Sequence, residues 1–111
     1  MAVADETIYE GIRLPDGGCR IVAHEPGGGA RELAPAEVHS FDFEWGYGGS
    51  GPAETAYALL LDATGDARLA GRWHQAFKWA VVADLPHGGW RLSHAAVLDW
   101  LASAAAEGEG G

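Results

Sequence analysis

The stretch Phe41-Asp42-Phe43-Glu44-Trp45-Gly46-Tyr47-Gly48-Gly49-Ser50-Gly51-Pro52 constrains this chain more than any other. Four aromatic side chains can bury large surface, and the glycines that follow leave a backbone free to take positive φ and bare enough for a close neighbour. An apolar run begins at Ala53, directly behind the loop. Ser50 and Gly51 are therefore candidate N-caps, with Pro52 at the first helical position, where its missing N–H costs nothing.

The elements around this centre follow from local patterning. Thr7 to Arg13 reads as a strand, Leu14 to Gly18 as a turn and Cys19 to His24 as the returning strand, with Ile21 and Ala23 on one side and Arg20, Val22 and His24 on the other. Ala30 to Leu33 adds a short third strand, and Pro35 to Val38 is read as one helical turn. Ala53 to Ala63 is a helix apolar nearly all round and so central. Gly65 ends it, and Asp66 caps a second helix over Ala67 to Ala83. A brief strand at Trp90 to Leu92 leads to Ser93, the N-cap of a helix from His94 to Ala104. The expected fold is α+β: an N-terminal antiparallel β-hairpin or small sheet packed against two or three α-helices in a single domain over 7–104. Residues 1–6 are expected to be flexible and 105–111 to be a disordered tail.

Composition bounds the function classes. A chain of 111 residues, 48% hydrophobic and 21% charged, suits one globular core. Sixteen acidic residues against seven basic ones give a net charge of −9, which disfavours direct binding to nucleic acid or anionic lipid and favours a basic protein partner where charge guides recognition. Cys19 is the single cysteine, so no internal disulfide and no cysteine-rich metal site is expected. The acidic start lacks the pattern of a signal peptide, and no apolar run is long enough to span a bilayer; the expected location is the cytoplasm.

The string Phe43-Glu44-Trp45-Gly46-Tyr47-Gly48-Gly49-Ser50-Gly51-Pro52, with Phe77 and Lys78 on the second helix and Trp90 through Leu101, resembles a family of small prokaryotic and phage-associated domains catalogued as a domain of unknown function. The resemblance runs from Ile8 to Leu101 and implies a fold, with no catalytic or binding assignment to carry over. The phage setting it suggests would suit an acidic module that occupies the basic nucleic-acid groove of another protein.

Several residues are candidates for function. Backbone N–H groups of Gly48, Gly49, Ser50 and Gly51 at a helix start can hold an anion, yet a phosphate loop would place a lysine there, and Pro52-Ala53-Glu54 follows instead. Ser50 can be weighed as a nucleophile with His39 as base and Asp42 or Glu44 as orienter, although Pro52 stands where the hydrolase elbow needs glycine. The five histidines show no metal-binding spacing, and no cofactor motif is present. Trp45 and Tyr47 belong to the aromatic centre. Trp79, off the apolar stripe of its helix, is an expected surface anchor, and Arg68 and Arg72, one turn apart, form a basic pair suited to an acidic partner. Trp45, Tyr47, Gly48, Gly49, Ser50, Gly51, Arg68, Arg72 and Trp79 make the candidate contact surface of a non-enzymatic interaction module, with homodimerisation through an aromatic helix face as one form. No catalytic residue is assigned. The alternative is a small hydrolase or transferase using the glycine loop with Ser50 and His39.

Overall fold

The computed structural model describes residues 6–110, so the flexible segment expected over 1–6 lies, apart from Glu6, outside the described residues. Alternating burial marks β1 (Ile8–Arg13) and β2 (Cys19–His24), which pair antiparallel with Gly11 opposite Ile21. The Leu14–Gly18 turn closes the hairpin through a hydrogen bond from Leu14 N–H to the Gly18 carbonyl. The three-residue β3 (Ala30–Glu32) adds to β2, and β4 (Gly89–Ser93) adds to the other edge, giving the order β3-β2-β1-β4, antiparallel throughout. Tyr9, Gly11, Ile21, Ala23 and Trp90 are buried, while Glu10, Arg20, His24 and Arg91 share the opposite face.

Helix α1 (Ser50–Thr64) is the centre of the core: Gly51 to Ala56 and Ala58 to Leu60 are all buried. Gly65 ends it in the left-handed conformation, and the carboxylate of Asp66 accepts the N–H groups of Arg68 and Leu69 to start α2 (Ala67–Ala80). Helix α3 (His94–Gly110) follows β4, with the Ser93 hydroxyl accepting from Ala96 N–H. The α+β fold and its four-stranded sheet with three helices agree with the sequence reading. Among the described residues, no helix is long and apolar enough to cross a membrane.

Four boundaries differ from the sequence reading. Gly49, not Ser50 or Gly51, is the N-cap of α1, and no side chain caps it. Pro52 is thus third in the helix, still within the first turn, whose N–H groups have no carbonyl partner inside it. Pro35 to Val38 is no helical turn, because its backbone N–H groups turn toward a side chain of α1 and Glu37 takes φ of 60°. Helix α2 stops at Ala80 rather than Ala83; Val81 leaves helical geometry, and in the 3-10 turn at Val82–Asp84 the Val82 carbonyl accepts both Leu85 N–H at 3.2 Å and Gly46 N–H at 3.1 Å. Helix α3 continues past Ala104, where the sequence placed its end.

Candidate functional site

Two adjacent polar residues buried in the largely apolar α1 fix the loop that precedes it. Glu54, fully buried, accepts backbone N–H bonds from Ala36 at 2.8 Å, Val38 at 3.0 Å and His39 at 2.8 Å, with a longer one from Ser40. Burial raises the pKa of such a carboxyl, but the four N–H donors outweigh it and hold Glu54 below the ordinary carboxylate range. Thr55 donates its hydroxyl to the Glu44 carbonyl at 2.6 Å and accepts Glu44 N–H at 3.1 Å. Gly51 must be bare, since a Cβ there would stand 2.7 Å from that of Glu44.

Arg13 secures the next turn of the loop. Its guanidinium grips Glu44 through both nitrogens at 2.9 and 3.2 Å, donates to the His87 carbonyl at 2.7 Å and stacks over Trp45. The hydrogen bond to Arg13 keeps the Glu44 carboxyl ionised below its usual range. Trp45 itself is 0% exposed, donates its indole N–H to the His87 carbonyl at 3.0 Å and meets Trp90 edge-on at 5.3 Å. It is a core residue.

Past Trp45 the loop turns outward. Tyr47 is 53% exposed, and its ring lies over Gly49, where a Cβ would come within 2.7 Å. Trp79, 61% exposed, lays the far edge of its ring against Gly48, and a Cβ on Gly48 would run into that ring. Lys78, itself nearly buried, places its ammonium 4.5 Å from the centre of the Trp79 ring. Tyr47, Gly48, Gly49 and Trp79 therefore come together on one surface, with Ser50 exposed at its margin.

The same surface continues along α2. Arg68, Arg72, Gln75 and Trp79 are all exposed, and their spacing of four, three and four residues puts them within about 60° of arc. The stripe runs roughly 16 Å from Arg68 to Trp79. At its far end Asp66, Arg68, Leu69, Arg72 and Trp73 line an open hollow of about 250 Å³, and Arg72 stacks over Trp73 at 5.3 Å. Sequence reasoning found Arg68, Arg72 and Trp79 separately; their shared stripe was readable from the spacing.

The other sequence candidates are placed as follows. His39 stacks on His74 with ring centres 4.3 Å apart, a meeting that sequence distance hid, and its Nε2 is buried without a hydrogen-bond partner. Burial first, then the facing His74, lowers the His39 pKa, so the ring is neutral at pH 7. Among the described residues no hydroxyl, that of Ser50 included, bonds to this Nε2, nor do three or more His, Cys, Asp or Glu gather there in a metal-ligating group. The Cys19 thiol, pushed up to about 11 by burial and then by the Glu44 carboxylate, is protonated at neutral pH. Sequence reading missed Glu54 as the clamp of the loop and Asp62 as its counterpart toward the sheet, where it takes Tyr9 Oη at 2.7 Å and Arg31 at 2.6 Å. A carboxylate inside a nearly all-apolar helix was the available signal for both.

The model of a family of unknown function, DUF6166, matches residues 9–103, and the chain belongs to that family. No curated protein and no solved structure gives a significant match.

Proposed function

We propose that this DUF6166 member is a small acidic interaction module that works without catalysis, and that its contact surface is the outer stripe of α2 continued by Tyr47 and the glycine loop. The observation that carries the reading is Trp79, a large aromatic held 61% exposed across bare backbone. An indole so placed keeps most of its apolar surface available for burial against a partner, and it is fixed beforehand, so little side-chain entropy is lost on contact. Tyr47 beside it has the same character. A cytoplasmic setting and a regulatory role in phage or mobile-element biology accord with the acidic composition and the family resemblance.

The test compares wild type and Trp79→Ala, each immobilised and challenged with lysate of the source cell, with retained proteins read by mass spectrometry. A partner held by wild type and lost by Trp79→Ala supports the reading. Identical sets on both would overturn it. The alternative of a small hydrolase or transferase draws on the unpartnered Nε2 of His39. Under the interaction reading Ser50→Ala retains the same partner as wild type, whereas an enzyme built on Ser50 loses turnover in a hydrolase substrate screen.

A further inference from the structure

The chain holds seven cationic side chains, and four of them are engaged: Arg13 by Glu44, Arg20 by Glu32, Arg31 by Glu25 and Asp62, and Arg91 by Glu10. The other three are Arg68, Arg72 and Lys78, and among the described residues none has a carboxylate within ion-pair distance. All three lie on α2, whose fourteen residues include no Asp or Glu. In a protein with sixteen acidic residues this one helix has the opposite sign to the whole.

From this segregation we infer that the partner of the α2 surface is an acidic segment of another protein, with carboxylates on Arg68 and Arg72 and an apolar side chain against Trp79 and Tyr47. The inference rests on the interaction reading above and adds the partner's chemistry. Net charge alone points to a basic partner, but charges beyond about 8 Å are screened at physiological salt, so the groups within contact range decide. Two guanidinium forks one turn apart match paired carboxylates. The Trp79 end makes the same choice. Its ring already has the Lys78 ammonium 4.5 Å from its centre, so an incoming lysine or arginine would meet a like charge there while a carboxylate near the ring would meet an opposite one. Roughly 10 to 16 Å separates the arginines from Trp79 along the helix, which sets the spacing between acidic and apolar residues in the partner.

The test is a selection of short random peptides displayed on phage against wild-type protein, with Trp79→Ala and the double variant Arg68→Gln/Arg72→Gln as counter-targets. All three positions are exposed, and circular dichroism checks that the variants fold. Peptides that carry two or more Asp or Glu beside an aromatic or aliphatic residue, and that bind the double variant about tenfold more weakly, support the inference. Selected peptides rich in Lys or Arg that still require Trp79 would overturn the partner chemistry and leave the contact surface standing. Selected peptides indifferent to Trp79→Ala, or none at all, would overturn both. Sedimentation of wild type as a dimer that Arg68→Gln/Arg72→Gln dissociates would make a second copy the occupant and overturn the inference.

Discussion

The molecule uses one contact twice, a tryptophan ring laid on a glycine that has no room for a Cβ. Inside, Gly11 of β1 lies under Trp90, its cross-strand neighbour in β4. Outside, Gly48 lies under Trp79. Trp90 is 7% exposed and wedged edge-on against Trp45, so it cannot yield; Trp79 is restrained by Gly48 and Lys78 and faces water. The same missing Cβ therefore buys stability in the core and a preset contact group on the surface. The surroundings of the ring decide which.

Removing the wall behind the inner contact has the largest expected effect. Trp45→Ala should cost about 3–5 kcal/mol in urea unfolding, because it empties the core beside Trp90 and removes one of the two donors to the His87 carbonyl, leaving only Arg13. Gly11→Ala, which forces a methyl group into the Trp90 ring, should cost about 1–3 kcal/mol.

Acid should separate the two contacts. Glu54 holds the segment that leads into the outer loop, and Glu54→Gln should cost about 2 kcal/mol. The folded-state pKa values of Glu54, Glu44 and Asp62 are all depressed, so the stability they contribute is full above the unfolded values near 4 and is lost as pH falls below them. His39, also lowered, binds its proton more readily in the unfolded chain, so stability begins to fall as pH drops below 6.5. Two steps are expected in stability against pH; His39→Phe should remove the upper one, and Glu54→Gln should diminish the lower. Indole N–H signals should record Trp79 shifting in acid before Trp90 does.

The smallest changes in stability belong to the outer contact. Gly48→Ala should cost less than about 1 kcal/mol, because Trp79 can swing away, yet its fluorescence should move to the red and partner binding should weaken. Ser50→Ala should lie within about 0.5 kcal/mol of wild type, since Ser50 is the first helical residue and not the cap. A cost above 1 kcal/mol would mean that its hydroxyl holds the loop after all.

Much of this was legible in the chain. Alternation at Ile21 and Ala23, the turn glycines, Gly65 with Asp66 and the Ser93 cap act over a few residues, so the sequence by itself determined the hairpin, the helix order and the α+β class. The spacing of Arg68, Arg72 and Trp79 likewise determined that they share a face. Only the tertiary structure decided what the loop before α1 would do. The N–H groups of 36–40 chose the Glu54 carboxylate over a helical turn, Trp45 was drawn inward by the His87 carbonyl and Arg13, and Gly48 met Trp79 from a distant helix. Those partners lie many residues away in sequence, and hydrogen bonds and close contacts between them exist only once the core has brought them together.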